Sequence, residues 1–324
     1  MSEAARPACT ALPARSPFVL EQAFDDPDAI RRLIHAGAPY RSMAAVHREP
    51  PTGPVAPWFR NFWALGGKLL FEGAGAAFRN PRFIDAARRL YGARVVRPLA
   101  MMTNLNPPAP AAPPHQDLPF FRGAHRREVP AWMLAPMGYS GLFERWAIPV
   151  ASAITWLYDG PGGEFEYWPD GLEAASRIEA NLAGNRAVIA DNETMYHRVR
   201  RIGEATEFLP GNVMPYESVL EHGGDGWTLA ADGEPLGRFA EGGVRVSILW
   251  KAFCFADETD AQRYLDGTDD LTPRQVVSIL QDDLRGRGIV LDDPASLDGT
   301  DAWADAVRST YLPAAPATSG KAAR

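Results

Sequence analysis

Residues 151–171, with the sequence ASAITWLYDGPGGEFEYWPDG, indicate the fold class. The first eight residues are almost entirely apolar, as expected of a buried strand, and the glycines and proline of residues 159–163 then predict a tight turn. Residues 164–168 alternate polar and apolar side chains, which is the period of a strand with one buried face. A second turn signal, Pro169-Asp170-Gly171, follows. The stretch therefore predicts two short strands joined by a tight turn.

The same kind of pattern extends outward from this stretch. Further strand-like runs lie at residues 95–102, 187–190 and 244–255. Helix signals flank these strands, because Asp26-Pro27 and Asn80-Pro81 each place a capping side chain before a proline at the first helical position. Near the other end of the chain, the segment 272–275 (TPRQ) has the pattern of a capping box.

Many short strands with glycine and proline turns, framed by helices, predict a mainly β fold with flanking helices, as in a β-sandwich or double-sheet barrel. We expect one domain over residues 18–312, with a β core at about 95–255 and a C-terminal helical segment at about 256–312. Residues 1–17 and 313–324 have the composition of flexible tails. The sequence contains neither a glycine-rich phosphate loop nor alternating β and α segments, which disfavours Rossmann and TIM-barrel folds.

Composition narrows the class of protein. Of 324 residues, 46% are hydrophobic and 23% are charged, which is typical of a folded globular chain. The net charge of −7 and the absence of a long basic run give no indication of nucleic-acid binding. The two cysteines, Cys9 and Cys254, make a poor disulfide pair, and no secretory signal or membrane-spanning run is evident. We therefore expect a cytoplasmic protein that does not bind membranes, and its oligomeric state stays open.

The tripeptide His115-Gln116-Asp117 is the first candidate site. In an extended backbone, residues i and i+2 point to the same side, so the His115 imidazole and the Asp117 carboxylate can converge. His197 follows an apolar run, as if at the end of a strand. Two imidazoles and one carboxylate on one face suit a non-haem iron(II) ion that keeps coordination positions open. A closed zinc site would need a fourth His or Cys nearby in the sequence, and none is present.

A second candidate site lies on the final strand, at Arg245-Val246-Ser247. Arg245 and Ser247 share a face, and a guanidinium with a hydroxyl can bind a carboxylate. Burying an arginine in an apolar strand costs several kcal/mol of folding free energy unless an anion pairs with the guanidinium. The alternative is an internal salt bridge to a protein carboxylate.

In this order of motifs, the chain resembles the 2-oxoglutarate/iron(II)-dependent oxygenases, with the phytanoyl-CoA-hydroxylase-like branch nearest. The resemblance rests on His115-Gln116-Asp117, the strand with Gly162-Gly163, the distal His197 and Arg245-Val246-Ser247. It implies a double-stranded β-helix of the jelly-roll or cupin-like type. It also implies that His115, Asp117 and His197 bind Fe(II), that Arg245 binds the distal carboxylate of 2-oxoglutarate, and that Ser247 assists Arg245.

One feature departs from that family. The arginine normally follows the distal histidine closely, whereas 48 residues separate His197 from Arg245 here. Residues 204–243 would then be an inserted excursion, which we predict to be a hairpin. Arg201 is a rival anchor because it lies closer to His197, although its arginine-rich surroundings favour exposure to solvent.

Asn104 and Tyr158 are further candidates for contact with 2-oxoglutarate, and packing in the core is the alternative role for Tyr158. The expected activity is hydroxylation of an unactivated C–H bond of a small molecule, with Fe(II), 2-oxoglutarate and dioxygen as cofactor and co-substrates. Two alternatives stay open: a cupin-like metal enzyme that does not use 2-oxoglutarate, and a non-catalytic β-sandwich binding protein.

Overall fold

A computed structural model describes residues 12, 14–46, 53–124 and 128–313. Most of the two predicted tails lies outside these described residues. The chain divides into two compact units, one formed by Leu12–Asp117 with Pro149–Ala261 and the other, among the described residues, by 118–148 with 262–313. The single domain expected over residues 18–312 stays a prediction.

The described residues form short strands, α-helices and 3-10 turns. The strands are β1 (Phe18–Leu20), β2 (Tyr40–Ser42), β3 (Phe59–Leu65), β4 (Lys68–Leu69), β5 (Val95–Asn106), β6 (Phe120–Phe121), β7 (Ala147–Ile148), β8 (Val150–Trp156), β9 (Phe165–Trp168), β10 (Arg177–Glu179), β11 (Ala187–Ala190), β12 (Tyr196–Val199), β13 (Val219–Gly223), β14 (Gly226–Ala231), β15 (Glu234–Ala240) and β16 (Arg245–Phe255). The α-helices are α1 (Pro27–Ala36), α2 (Gly75–Phe78), α3 (Pro81–Tyr91), α4 (Ala131–Ser140), α5 (Glu258–Asp266), α6 (Pro273–Gly286) and α7 (Ala302–Tyr311). The 3-10 turns are Met43–Val46, Glu144–Trp146, Ala205–Glu207, Pro210–Asn212 and Glu241–Gly243.

The larger unit is built on two antiparallel sheets. The major sheet has the order β1-β11-β8-β16-β5-β3-β2-β13-β14-β15, and β4 pairs with β3. The smaller sheet has the order β10-β9-β12, and the extended segment 109–115 lies beside β12 through bridges at Ala109↔Ile202 and His115↔His197. The chain crosses from one sheet to the other after β5, β8, β10, β11 and β12. This alternation is the double-stranded β-helix, or jelly roll, that was expected.

The helix starts predicted from capping signals are confirmed. Asp26 accepts a hydrogen bond from the Ala29 amide at the start of α1, and Asn80 accepts one from the Arg82 amide at the start of α3. Thr272 and Gln275 form both bonds of the predicted capping box before α6. These hydrogen bonds satisfy amides that have no partner within the first turn of a helix.

The two faces of the major sheet bury different sets of side chains. On the outer face α3 packs against β5, β8 and β16, where Phe83 contacts Trp250 at a centroid distance of 5.6 Å. The face toward the smaller sheet buries Ile154, Trp156 and Val188. By the period of two along a strand, this inner face also carries the residues of β16 that were predicted to bind an anion.

The excursion at residues 204–243 is present, but it is not a simple hairpin. It forms the three-stranded meander β13-β14-β15, which joins the major sheet through β2. The prediction missed a second tight turn at Asp232-Gly233, where both residues have positive φ (51° and 81°). An Asp-Gly pair favours the hairpin turn that reverses the chain there.

The second unit has its own core, in which α4, α6 and α7 bury Met133, Leu280 and Trp303. Trp303 donates its indole N–H to the side chain of Gln281 at 2.6 Å, so its polar atom is satisfied inside this core. Within the described residues, no helix combines the length and the apolar character that a membrane span needs.

Candidate metal centre

The three predicted ligands lie together between the smaller sheet and the segment that precedes it. His115 and His197 exchange backbone hydrogen bonds of 3.0 and 2.9 Å, and the Asp117 amide donates to the Asn192 carbonyl at 2.8 Å. One nitrogen of each imidazole and one oxygen of Asp117 all lie within 4.8 Å of one another. The prediction that these three side chains converge is therefore confirmed geometrically, while their role as metal ligands stays a proposal.

Both imidazoles are oriented by backbone carbonyls. His115 Nδ1 lies 3.2 Å from the Pro113 oxygen, and His197 Nδ1 lies 3.1 Å from the Met195 oxygen. A carbonyl can only accept, so each Nδ1 carries the proton and each Nε2 keeps a free lone pair. Metal-binding histidines typically donate the other ring N–H in this way to a carbonyl or carboxylate. With His197 Nε2 at 4.0 Å from Asp117 Oδ1, the donor set fits a divalent transition metal.

The electrostatics keep His197 and Asp117 in the protonation states that a cation needs. Burial lowers the pKa of His197 to about 4, so this imidazole is neutral near pH 7. Burial alone would raise the pKa of Asp117, but the positive charge of Lys251 outweighs it and lowers this pKa to about 2. The carboxylate is therefore ionised.

Lys251 and Glu193 adjoin the centre and were not predicted. The Lys251 ammonium lies 2.7 Å from Asp117 Oδ2, and the two groups form a close ion pair whose geometry is not that of a hydrogen bond. Lys251 also donates a hydrogen bond to Glu193 Oε1 at 2.6 Å. Burial raises the pKa of Glu193 to about 8, although Lys251 opposes the change. A lysine within the apolar run VRVSILWKAFCF, an even number of residues from Arg245, was the signal in the sequence.

Arg245 is a buried charge on the inner face of the major sheet. It is 2% exposed, and its Nε donates to the Gly163 carbonyl at 2.6 Å. No carboxylate of the described residues lies within 4 Å of its guanidinium, so the alternative of an internal salt bridge finds no partner there. Burial lowers its pKa to about 10, which leaves it protonated near pH 7.

The rival anchor, Arg201, has a different environment. Its side chain is 52% exposed and pairs with Glu204 at 3.2 Å. A solvated ion pair of this kind leaves no buried charge in need of a ligand. The structure therefore favours Arg245 over Arg201 as a site for a buried anion.

Gly163 allows the close approach of Arg245 and Tyr158. It has a φ of 75°, and a Cβ at this position would lie 2.8 Å from Arg245 Cδ and 3.1 Å from the Tyr158 ring. The Tyr158 hydroxyl donates to the Pro161 carbonyl at 2.9 Å, and burial raises the pKa of Tyr158 to about 12. Tyr158 thus lies beside Arg245 in its neutral form, and its contact with a co-substrate stays a prediction.

Ser247 and Asn104 lie opposite each other on neighbouring strands, so they share the face that carries Arg245 and Lys251. The Asn104 oxygen already accepts hydrogen bonds from Trp58 Nε1 at 3.2 Å and Arg60 Nε at 2.7 Å. Its amide nitrogen is therefore the group it can offer to a ligand. Arg60, which the sequence analysis did not single out, places a second guanidinium beside Asn104.

Comparisons with known proteins gave matches among solved structures alone. No protein-family model matches the chain, and no curated protein matches its sequence. A 2OG-Fe(II) oxygenase family oxidoreductase from Burkholderia pseudomallei is 13% identical over 74% of this chain and 85% of its own, with a TM-score of 0.40. A Pseudomonas putida prolyl-4-hydroxylase is 13% identical over 74% of this chain and 92% of its own, with a TM-score of 0.38.

A third solved structure is HygX from Streptomyces hygroscopicus with nickel, 2-oxoglutarate and hygromycin B bound. It is 9% identical over 74% of this chain and 84% of its own, with a TM-score of 0.37. Identities and TM-scores this low do not establish membership of a family. None of the three is described as a phytanoyl-CoA hydroxylase, so that branch stays a prediction.

Proposed function

We propose that the chain is a non-haem iron(II) oxygenase that uses 2-oxoglutarate and dioxygen to hydroxylate an unactivated C–H bond of a small molecule. The observation that carries the proposal is the buried, unpaired guanidinium of Arg245 on the strand face that also carries Lys251. An unpaired buried charge costs several kcal/mol, which an anionic ligand would offset. A dicarboxylate can meet this guanidinium at one end and a metal at the other.

The metal would be held by His115 Nε2, His197 Nε2 and one oxygen of Asp117. Lys251 contacts Asp117 Oδ2, which leaves Oδ1, the oxygen nearer His197, for the ion. Three protein ligands leave positions for a co-substrate and dioxygen. When bound, iron(II) would supply the oxidation in which 2-oxoglutarate and dioxygen yield succinate, carbon dioxide and a hydroxylated product.

The side chains around Arg245 prepare it for a carboxylate. Because Nε donates to the Gly163 carbonyl, the plane of the guanidinium is fixed and its two terminal nitrogens are left to bind a ligand. Two parallel N–H bonds match the two oxygens of a carboxylate. Ser247, two residues along the same face, can add a hydroxyl donor.

The test is an anaerobic titration of the metal-free full-length protein with iron(II) and then 2-oxoglutarate. We expect one iron per chain at this centre, 2-oxoglutarate binding that depends on the iron, and succinate release when air is admitted. Glutarate, which has both carboxylates but no keto group, is the control and should compete without giving succinate.

Two results would contradict the proposal. Iron binding without 2-oxoglutarate binding or succinate formation would indicate a cupin-like metal enzyme of another kind. A protein that binds no iron would be the non-catalytic β-sandwich considered from the sequence.

A further inference from the structure

A second group of two histidines and one carboxylate lies in the larger unit. It comprises His35 in the last turn of α1, His222 on β13 and Glu241 in the turn before β16. His35 Nε2 lies 2.7 Å from Glu241 Oε1, and His222 Nε2 lies 3.0 Å from Glu241 Oε2. His35 thus meets two residues that follow it by about two hundred positions, and both histidines contact one carboxylate.

The two imidazoles are held side by side. Their centroids are 3.9 Å apart with an interplanar angle of 11°, and Trp227 packs edge-on against both, at 4.7 Å from His222 and 6.0 Å from His35. A ligand atom from each of the three residues lies within 4.8 Å of the others. The rings therefore present their Nε2 atoms to the same small region.

These distances are close to those of a loaded zinc site. Zn²⁺ binds nitrogen and oxygen ligands at about 2.0–2.2 Å in a tetrahedral arrangement, which places neighbouring ligand atoms about 3.3 Å apart. The two nitrogen–oxygen distances of 2.7 and 3.0 Å are slightly shorter than this. Because the rings are stacked with nearly parallel planes, both imidazoles would have to tilt so that their Nε2 lone pairs converge, and each proton would have to move from Nε2 to Nδ1, for an ion to bind.

The surroundings leave room for a fourth ligand. A cavity of about 180 Å³ adjoins His35 and Glu241 and is also lined by Arg31, Asp159 and Val246. The Asp159 carboxylate packs against Gly242, where a Cβ would lie 2.7 Å from its Oδ1. A water molecule or a second carboxylate can therefore complete the coordination from the side of the cavity.

We propose that His35, His222 and Glu241 form a second binding site for a divalent transition metal of the zinc class, separate from the centre at His115, Asp117 and His197. The ion would tie α1 and the meander of residues 204–243 to the turn four residues before Arg245. Because His35 is 206 residues from Glu241 in the sequence and the site forms only when the chain is folded, binding would stabilise the folded chain. The proposal does not depend on the proposed oxygenase activity.

The experiment counts zinc in a background that lacks the first centre. The full-length His115→Ala/His197→Ala variant is dialysed against Zn²⁺, and its bound metal and Tm are measured. We expect one zinc per chain and a Tm that rises by several degrees. Adding Glu241→Gln, which keeps the size of the side chain and can still hydrogen-bond, should abolish both effects. Glu221→Gln, an exposed carboxylate on β13, is the matched control and should retain both.

Cobalt(II) provides a second readout that does not depend on stability. In the same background it should give the intense visible absorption of a tetrahedral site, and Glu241→Gln should lose that absorption. A background variant that binds no zinc overturns the proposal, since the group is then a hydrogen-bonded histidine pair. Zinc that remains bound after Glu241→Gln also overturns it, because that ion is adventitious. Failure of iron binding in the parent protein would affect the oxygenase proposal alone.

Discussion

The larger unit contains two groups of the same composition, two histidines and one carboxylate, that differ in how the imidazoles are held. At His115 and His197, each Nδ1 donates to a backbone carbonyl, so the Nε2 lone pairs face Asp117. At His35 and His222, each Nε2 faces an oxygen of Glu241, so these nitrogens donate protons in the metal-free chain. The first group presents lone pairs to an ion, whereas the second must first change tautomer.

The carboxylates of the two groups differ as well. Asp117 has a buried cation beside it, because the Lys251 ammonium lies 2.7 Å away. The Glu241 side chain, in contrast, is 43% exposed. Burial raises the pKa of Glu241, but the hydrogen bonds from His35 and His222 outweigh this and lower it. The guanidiniums differ too, because Arg245 is buried without a carboxylate partner among the described residues, whereas Arg31 lies at the edge of an open cavity. The two groups therefore have the same kinds of ligand atoms. The first group differs in its fixed histidine tautomers and in the buried guanidinium of Arg245, and these two features support a reactive centre there.

The largest expected effect comes from breaking the first group alone. His197→Ala removes one of the three proposed metal ligands. Because loss of a residue that only hydrogen-bonds to a ligand costs about 10–100-fold in metal affinity, we expect iron affinity to fall by more than about a hundredfold. Succinate formation should be abolished. The measurement is iron binding and succinate release, with Glu221→Gln, at an exposed carboxylate on β13, as the control that should leave both unchanged. Iron binding by His197→Ala as tight as that of the parent would show that His197 is not a ligand.

The second prediction removes the cation beside Asp117. Lys251→Met keeps the length of the side chain but leaves the buried Glu193 and Asp117 without their shared partner, and breaking a buried pair costs about 3–5 kcal/mol. We expect the free energy of unfolding in urea to fall by up to about this amount, because Glu193, whose pKa is raised to about 8, already holds a proton near pH 7 and Asp117 alone then loses an ionic partner. Lys68→Met, at an exposed lysine of β4, is the control and should change little.

Iron(II) should restore part of the stability of Lys251→Met, because a cation bound at Asp117 replaces the missing charge. No such recovery is expected for Lys68→Met. If Lys251→Met were as stable as the parent, the contact between Lys251 and Asp117 would not be important for the fold.

The fold was predictable to the extent that local patterns specify it. Turn signals, strand alternation and capping residues indicated the mainly β core and the helix starts at Asp26, Asn80 and Thr272, and the jelly-roll order followed from the resemblance. The three-stranded meander was not foreseen, because its second turn depends on the backbone conformation of Asp232 and Gly233. The segment contains two Asp-Gly pairs, Asp225-Gly226 and Asp232-Gly233, and a single predicted hairpin accounts for only one of them.

The candidate centre was predictable where its residues follow a period. His115 with Asp117, and Arg245 with Ser247, are two residues apart on extended chain, so their shared faces could be read from spacing. Lys251 has the same parity as Arg245 and could have been found in this way. Glu193 and the group of His35, His222 and Glu241 could not be found from spacing. His35 and Glu241, for example, are 206 residues apart and meet only through the order of strands in the sheet.

The smallest expected effect tests Arg245 against Arg201. Arg245→Lys replaces a planar fork with a point charge, and losing one charge-assisted hydrogen bond costs about 1.5–3 kcal/mol. This corresponds to a rise of roughly ten- to a hundredfold in the apparent Kd or KM for 2-oxoglutarate. Iron affinity should be nearly unchanged, because none of the three metal ligands is altered.

Arg201→Ala is the control for this prediction, since its exposed pair with Glu204 contributes little. The measurement is a 2-oxoglutarate titration of both variants and the parent, with iron-dependent binding and succinate as readouts. The Gly163 carbonyl, which now accepts from Arg245 Nε, can accept from the lysine ammonium as well, so the variant should fold and lose chiefly the second bond to the carboxylate. If Arg201→Ala weakened 2-oxoglutarate binding and Arg245→Lys did not, the anchor would lie next to His197, and the buried guanidinium would no longer distinguish the first group from the second.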